Sequence, residues 1–394
     1  MEYIFYIESH IFLFYNKKKV LVYNSIDFNW FKIRSNTTLF NLIESLEKSK
    51  TGTRCIIIND KELEDNYVAD FIHEIGKRFW GDLLEKMYYN TPPLIIAPQC
   101  NFTNIITENL NIVNFVNDVR IAINTEDQGY LYGNIYKQTQ YLINGDKNLS
   151  MDKSTLQYII GKIGNCNHIT FLGKNIINNL LNMDIESLNI DISKITINID
   201  FSEIVYNSSF SSANFNIIVI LSNIHFPNFK LEKTYQKATY IFIVTSNIEY
   251  KYACTYIDKY QLNAKIIPIY NGENIEFIKE VLFYDEKSIK ESRNSKENIF
   301  IHKYFNSFDF GKITIFPNGL VFANPNFPSI GNILKENFKS IIFNEINKGK
   351  SWLRIRDSGK CKHCIYKFLC PSPSSYELIL KKDGLCTFIE YVQE

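Results

Sequence analysis

The first 95 residues alternate short apolar segments with turn residues. A helix is predicted within 37–49, because apolar residues recur there at helical spacing behind the candidate caps Asn36 and Thr37. Residues 59–89 also have a helical pattern, and Pro92 and Pro93 then interrupt regular structure. We therefore expect a small α+β domain over residues 1–95. Segments rich in Ile, Val, Tyr and Phe predict its strands: YIFYIE (3–8), IFLFYN (11–16), KVLVYN (19–24), FNWFKI (28–33) and TRCIII (53–58).

From about residue 118 the pattern changes to nearly continuous apolar segments with helical segments such as IYKQTQYLI between them. Apolar strands that alternate with helices are typical of a parallel sheet covered by helices. Residues 96–300 are therefore predicted to form a partial (β/α)6 barrel, in which function lies at the carboxyl ends of the strands. The charged segment 284–298 predicts a loop or mobile link. The six predicted strands are VRIAIN (119–124), HITFLG (168–173), ITINIDF (195–201), FNIIVILS (215–222), TYIFIVTS (239–246) and AKIIPIY (264–270).

Composition narrows the functional classes. The chain has 394 residues and is 45% hydrophobic, which is enough for two or three packed domains. A formal net charge of +1 gives no reason to expect a nucleic-acid partner. No apolar segment reaches the roughly 18 residues of a membrane span. The apolar start contains Glu2, Glu8 and His10 without a basic lead-in, so no signal peptide is predicted and a cytoplasmic location is expected.

Four of the eight cysteines lie close together near residue 370. Their spacing is C-x2-C-x5-C-x15-C, and they are Cys361, Cys364, Cys370 and Cys386. In a cytoplasmic protein such a cluster is more typical of metal binding than of disulfides. Four thiolates suit a [4Fe–4S] cluster and suit a structural zinc ion about equally well, with a metal-free role as the third alternative. The other cysteines are interpreted as small apolar core residues: Cys55, Cys100, Cys166 and Cys254.

The segment CKHCIYKFLCPSPSSYEL…GLC resembles the SPASM domain of radical-SAM peptide-modifying enzymes. It is most similar to the pseudo-radical-SAM proteins of Gly-Gly peptide precursor systems in Bacteroidales-like genomes. The order of a strand-rich start, six β/α units and a cysteine cluster agrees with that family over most of the chain. The resemblance implies a winged-helix, leader-recognition-like domain at 1–95, a degenerate radical-SAM core at 96–300 and a SPASM-like domain at 301–394. It favours one [4Fe–4S] cluster over zinc.

Departures from the family's motifs imply that catalysis has been lost. The C-x3-C-x2-C positions that hold the catalytic cluster fall on Thr125, Gly129 and Tyr132, none of which is a cysteine. Lys174 stands where active relatives have the glutamate that meets the ammonium of S-adenosylmethionine, and two positive charges repel. The resemblance thus implies no catalytic residue and no bound S-adenosylmethionine.

The auxiliary clusters of the family are also incomplete in this sequence. Ser374 takes the fourth place of the C-x2-C-x5-C-x3-C run, and Asn324 stands near the place of an upstream cysteine. The first auxiliary cluster is therefore expected to be missing. The four remaining cysteines correspond to the second auxiliary cluster, which would brace the C-terminal domain.

The resemblance implies an accessory protein that binds the leader of a ribosomally synthesised precursor peptide, with an active maturation enzyme as a further partner. A leader can add a strand to an exposed sheet edge, and FNWFKI together with the helix in 37–49 is the predicted groove. The competing interpretation of Phe28, Trp30 and Phe31 is simple packing within the sheet.

Other functional classes stay open at this point. One is an electron-transfer iron–sulfur protein that serves a separate maturase, and another is a zinc-stabilised protein-binding scaffold. A third is an enzyme of another class with its site at the carboxyl ends of the strands. Asp200, Glu203 and His225 are its candidate polar residues, although they form no recognisable acid–base pair or metal set.

Overall fold

The structure is a computed structural model that describes residues 1–48, 53–89, 93–95, 112–145, 147–164, 166–183, 190–204, 216–222 and 238–387. These residues form an N-terminal α+β region, a large and mostly parallel sheet with its helices, and a C-terminal region that contacts both. Throughout these ranges, every helix is too short or too polar to cross a lipid bilayer.

The N-terminal region contains six short strands and three helices. The segments predicted as strands all form strands, but residues 81–85 also form one, at a place where the sequence predicts helix. The elements are β1 Glu2–Ile7, β2 Ile11–Tyr15, β3 Lys19–Asn24, β4 Trp30–Arg34, α1 Thr37–Glu47, β5 Cys55–Asn59, α2 Asp60–Leu63, α3 Asn66–Lys77 and β6 Gly81–Glu85.

Two antiparallel sheets enclose the N-terminal core. Their strand orders are β5-β1-β6 and β2-β3-β4. Helices α1 and α3 bury their apolar sides between the sheets, and Asn36 caps α1 by accepting a hydrogen bond from the Leu39 amide at 2.9 Å. The second face of β2-β3-β4 is buried as well, because Phe12, Phe14 and Leu21 pack against the C-terminal region.

A nine-stranded sheet forms the centre of the molecule, in the order β14-β13-β12-β11-β10-β7-β15-β16-β17. The six strands predicted in this part of the sequence are confirmed, and they pair in chain order with parallel neighbours. The bounds are β7 Asp118–Ala122, β8 Asn124–Thr125, β9 Leu149–Ser150, β10 His168–Leu172, β11 Ile195–Asp200, β12 Asn216–Leu221, β13 Ala238–Val244, β14 Ala264–Pro268, β15 Lys312–Ile315, β16 Leu320–Phe322 and β17 Gly331–Asn332.

The helices that connect the parallel strands pack on one face of this sheet, which we call the helix face. Ile169, Val219 and Phe242 point into the core on this side. The helices of the central and C-terminal regions are α4 Tyr130–Thr139, α5 Lys153–Ile163, α6 Ile176–Asn182, α7 Phe201–Ile204, α8 Asn247–Tyr260, α9 Ile275–Leu282, α10 Glu286–Glu291, α11 Lys296–Tyr304, α12 Phe338–Lys348 and α13 Ser375–Leu380.

Helix α4 covers the opposite face of the sheet, which we call the insert face. Ile135 of α4 packs in one cluster with Ile220 and Ile241 of the neighbouring strands β12 and β13. Tyr136 packs in a second cluster with Ala122 of β7. In a (β/α) barrel the face opposite the connecting helices is the interior. The corresponding face of this sheet is therefore filled by a segment of the chain itself.

One further expectation, for the charged segment, differs from the structure. The charged segment 284–298 is not a loop, because Asp285 and Ser295 cap the helices α10 and α11 there. A boundary predicted at residue 300 does not separate two sheets, because β15 pairs with β7 and continues the central sheet. The boundary predicted at residue 95 adjoins residues 96–111, which lie outside the described ranges.

Candidate functional site

The four cysteines predicted as metal ligands line one small cavity in the C-terminal region. Cys361 and Cys370 are buried, whereas Cys364 and Cys386 are partly exposed. The cluster in the sequence is thus also a cluster in space. Its wall consists of the four cysteines with Tyr284, Arg356, Lys367 and Leu385.

Short turns and one strand-like contact orient the sulfurs. Cys361 lies in a 3-10 turn, Gly359–His363, and its carbonyl accepts a hydrogen bond from the Cys364 amide at 3.1 Å. The Cys370 amide donates to the Tyr366 carbonyl at 2.9 Å. Cys386 lies on a separate segment that forms a parallel bridge with Tyr284. Two neighbouring cysteine loops and the sequence-distant segment at Tyr284 therefore close around the cavity.

Arg356 supplies positive charge beside the thiols. Its Nη1 donates to Cys361 Sγ at 3.7 Å, and its Nη2 donates to Glu377 Oε1 at 2.8 Å. Burial raises the pKa of the Cys361, Cys364 and Cys370 thiols, and the charge of Arg356 opposes this shift only in part. The metal-free thiols are therefore protonated, and metal binding would release protons.

The donor set fits a four-thiolate centre chemically. Four sulfurs face the cavity without a carboxylate or imidazole, which suits iron–sulfur or zinc binding. The Tyr366 amide donates to Cys364 Sγ at 3.4 Å, a contact that stabilises a thiolate. However, among the described residues no group of three or more His, Cys, Asp or Glu side chains is arranged to hold a metal ion. The Cys361 thiol instead donates to the Asp383 carbonyl at 3.1 Å, so coordination requires it to leave this partner.

Asn324 and Ser374, at the expected places of lost cluster ligands, belong to hydrogen-bonded structure. Asn324 is buried, and its Nδ2 donates to both carboxylate oxygens of Asp309 at 3.1 Å and to Ser375 Oγ at 3.0 Å. Ser374 begins α13, and its hydroxyl donates to Glu377 Oε2 at 2.6 Å in a capping box. Both side chains thus belong to polar networks that stabilise the C-terminal region.

The positions that the resemblance assigns to the catalytic cluster and to the cofactor contact lie in the short strand β8, at the start of α4 and directly after β10. Buried Thr125 donates to the Lys147 carbonyl at 3.0 Å, and Gly129 precedes α4 with a φ of 83°. The Tyr132 hydroxyl donates to Asp200 Oδ2 at 3.3 Å. The ammonium of Lys174 forms an ion pair with Glu126. These side chains therefore contact other parts of the chain.

The alternative catalytic residues at the strand ends also have structural roles. The Glu203 carboxylate accepts hydrogen bonds from the backbone amides of Asn175 at 2.7 Å and Ile176 at 3.1 Å, where it caps α6. Burial raises the pKa of Glu203, and these two bonds oppose the shift. Asp200 accepts from the Ser202 hydroxyl at 2.6 Å. His225 lies outside the described residues.

The aromatic residues of β4, beside which the sequence predicts a groove, are packed against other parts of the chain. The Trp30 ring lies 5.7 Å from the Tyr366 ring, and the Phe31 ring lies 5.7 Å from the Trp80 ring. Lys32 Nζ is 2.6 Å from Glu286 Oε1. Strand β4 thus contacts the C-terminal region, in agreement with the packing interpretation.

An open groove lies instead between α1 and β5, with a volume of about 930 Å³. Strand β5 is an edge strand that pairs with β1 on one side. Ile57 of β5 is 54% exposed and Leu94 is 80% exposed, so both present apolar surface there. The apolar, β-branched residues of TRCIII predict a strand, but they do not predict that this strand lies at the edge of its sheet. The groove is lined by Ile4, Thr37, Thr38, Asn41, Leu42, Ser45, Thr53, Cys55, Ile56, Ile57, Glu62 and Leu94.

Two solved structures are similar to this fold. One is SuiB of Streptococcus suis bound to S-adenosylmethionine, with 11% identity, a TM-score of 0.41, and coverage of 98% of this chain and 100% of that chain. The other is anSMEcpe with bound AdoMet, with 14% identity, a TM-score of 0.39, and coverage of 67% of this chain and 95% of that chain. No family model and no curated protein matches the sequence. Similarities at this level do not assign a family or an activity.

Proposed function

We propose that this chain is a catalytically degenerate radical-SAM/SPASM homologue that binds a peptide during the maturation of ribosomally synthesised peptides and does not modify it. The observation that carries the proposal is the covered insert face. Helix α4 begins directly after Gly129 and occupies the side of the sheet that a barrel enzyme keeps for its reactants. Tyr132 hydrogen-bonds Asp200, and Lys174 forms an ion pair with Glu126, so both side chains already have partners within the chain.

The four cysteines are proposed to hold one [4Fe–4S] cluster, which the SPASM resemblance favours over zinc. When bound, it supplies a cross-link between the Cys361–Cys370 loop and the segment that contains Cys386. The residues beside the cysteines support such a structural role, because Tyr366 and Leu369 pack in one apolar cluster with Phe14 and Leu21 of the N-terminal sheet. A metal here would therefore stabilise the docking of the N-terminal region as well as its own loops.

The groove between α1 and β5 is proposed as the peptide site. Strand addition needs an edge with free backbone groups and adjoining pockets for alternate side chains. Strand β5 is such an edge. Within the described ranges, segment 93–95 contacts only its start: the Arg54 amide donates to the Ile95 carbonyl at 2.8 Å, and the Cys55 thiol donates to the Pro93 carbonyl at 3.2 Å. Hydroxyl and amide groups of α1 face apolar side chains of β5, with Glu62 as the single charged lining residue. An extended, uncharged or weakly basic segment with alternating apolar residues fits these walls.

Titration of a labelled leader peptide tests the proposal, with the full chain and the small precursor encoded beside its gene. We expect micromolar affinity with only moderate salt dependence, because backbone pairing and apolar contacts dominate. Ile57→Lys places a charge on the groove and should weaken binding at least about tenfold. Ile248→Lys on α8 is the matched control, since Ile248 is 68% exposed and does not line the groove. Absence of binding at tens of micromolar, or equal affinity of the two variants, would contradict the proposed site.

A further inference from the structure

A separate cavity of about 340 Å³ lies between the insert face and the C-terminal region. Lys312 begins β15 and pairs in register with Asp118 at the start of β7, so the cavity opens near the amino ends of the strands. The degenerate cofactor positions lie at the opposite ends. Pockets for small ligands begin at about 300 Å³, so this cavity has the size for a small metabolite.

Most of the charges around this cavity are paired. Arg356 Nη2 is 2.8 Å from Glu377 Oε1, and Arg354 Nη2 is 3.6 Å from Asp309 Oδ2. Arg120 Nε donates to Asp118 Oδ2 at 3.1 Å. These pairs cancel one another's charge, so they add little net attraction for a ligand.

The ammonium of Lys312 is the exception. Among the described residues it has no hydrogen-bond or ion-pair partner, although the side chain lines the cavity. Burial lowers the pKa of Lys312 and the nearby charge of Arg120 lowers it further, whereas the carboxylates of Asp118 and Asp309 oppose this shift in part. Arg120 hydrogen-bonds Asp118 and Gln140 through Nε and Nη1, which leaves Nη2 without a partner in the described part of the chain. An unpaired cation that is partly buried beside a second cation is destabilising until an anion joins them.

We propose that this cavity binds a small organic monocarboxylate. Its carboxylate would accept hydrogen bonds from Lys312 Nζ and Arg120 Nη2, and its apolar body would lie against Ile267, Leu282 and Phe308. A single negative charge matches the Lys312 ammonium, which has carboxylates nearby but no direct ion-pair partner among the described residues. A phosphate dianion would carry excess negative charge between the walls that contain Asp309 and Glu377. This proposal does not depend on peptide binding at the β5 edge.

The test uses the full chain with benzoate and 4-methylpentanoate as probes, and benzamide and inorganic phosphate as comparisons. Ligand-observed NMR gives affinities, and the thermal midpoint gives stabilisation. We expect both carboxylates to bind saturably at millimolar concentration or below, with benzamide and phosphate at least about tenfold weaker. Equal binding of benzoate and benzamide, tighter binding of phosphate, or no saturable carboxylate binding would overturn the proposal.

Variants of Lys312 give a second readout that simple loss of structure would not produce. Lys312→Met keeps most of the side-chain length and removes the unpaired charge, so it should abolish carboxylate binding while the ligand-free thermal midpoint stays the same or rises. Exposed Lys335→Met is the matched control and should bind as the wild type does. Lys312→Gln should also lower the affinity for the carboxylate probes at least about tenfold. This variant tests the site if Lys312→Met does not fold. Wild-type affinity in a folded Lys312 variant would refute the site.

Discussion

Tyr23 donates a hydrogen bond of 2.8 Å to the backbone carbonyl of Asn294, and both groups are buried. The Asn294 side chain in turn donates to the carbonyl of Leu369 at 2.9 Å, directly before Cys370. The Phe14 and Phe368 rings lie 6.3 Å apart in the same contact region. The N-terminal sheet and the cysteine loop are therefore joined by both polar and apolar contacts, although nearly the whole chain separates them in sequence.

Tyr23→Phe should lower the free energy of unfolding by about 1–2 kcal/mol, because it leaves the buried Asn294 carbonyl without a donor. Urea unfolding of the full chain measures this change. Tyr67→Phe is the matched control, since Tyr67 is 39% exposed, and its effect should stay below about 0.5 kcal/mol. Similar effects of the two substitutions would show that the Tyr23 bond does not stabilise the contact between the regions.

Cys370→Ser should abolish stoichiometric iron binding after anaerobic purification, and it should lower the thermal midpoint of the metal-loaded protein. Cys370 is buried on the cavity wall, and a closed four-thiolate site that lacks one ligand loses much of its binding energy. Metal analysis and absorption spectra measure the outcome, with Cys254→Ser as the control outside the cavity. Stoichiometric zinc with negligible iron after reconstitution would contradict the iron–sulfur assignment.

Arg356→Met should destabilise the protein by about 3–5 kcal/mol, because it leaves Glu377 buried without its partner. Lys287→Met removes an exposed pair with Glu291 and should cost less than about 1 kcal/mol. Denaturant unfolding of both variants gives the comparison. If the two values are equal, the buried pair is not a structural support of the cysteine cavity.

No 5′-deoxyadenosine should form when the reconstituted protein is incubated with S-adenosylmethionine and a strong reductant. Thr125, Gly129 and Tyr132 cannot ligate iron as cysteines do, and α4 covers the insert face. Liquid chromatography against a protein-free blank measures the product, and an active radical-SAM enzyme in parallel confirms that the reductant works. Product that increases in proportion to this protein would disprove its proposed inactivity.

Acid should selectively remove the stabilisation that Asp118 provides. Burial alone would raise its pKa, but the hydrogen bond with His168 and the charge of Arg120 outweigh burial and hold the pKa at about 2. A folded pKa below the ordinary value of 3.8 stabilises the protein above about pH 4, and this contribution is lost as the pH falls toward 2. Its size is about 2 kcal/mol.

Asp118→Asn tests this contribution through the free energy of unfolding at pH 7 and pH 2.5. The difference in the free energy of unfolding between wild type and variant should be roughly 2 kcal/mol smaller at pH 2.5 than at pH 7. Exposed Glu273→Gln is the control, and its difference should change little. A difference for Asp118→Asn that is independent of pH would show that the carboxylate is not stabilised by its partners.

The parallel strands and the cysteine cluster were predictable from sequence, because both depend on local composition and spacing. Strands such as FNIIVILS contain runs of apolar, mostly β-branched residues, and the cysteine spacing places its sulfurs in short turns. Residues 284–298 were not predictable from their charge alone. Asp285 and Ser295 act as helix caps, and Ile289 and Ile299 each anchor a short helix by one buried side chain.

The position of the candidate peptide groove depends on tertiary pairing, which composition does not encode. FNWFKI and TRCIII are both edge strands in the structure, but only the latter borders an open groove. The difference arises because Trp30 contacts Tyr366, more than 300 residues away in sequence. The placement of α4 on the insert face has the same origin, since its apolar period would suit either face of the sheet.

The burial of Phe12, Phe14 and Leu21 beneath the cysteine loop affects the growing chain on the ribosome. These residues are translated early, but Leu369 follows the N-terminal region by about 270 residues. At about 5–20 residues per second, this delay lasts roughly 15–50 s. During that time the nascent N-terminal sheet exposes an apolar face to water. A message truncated before codon 284 would release chains with this face permanently uncovered, so their fate depends on capture by chaperones before they aggregate.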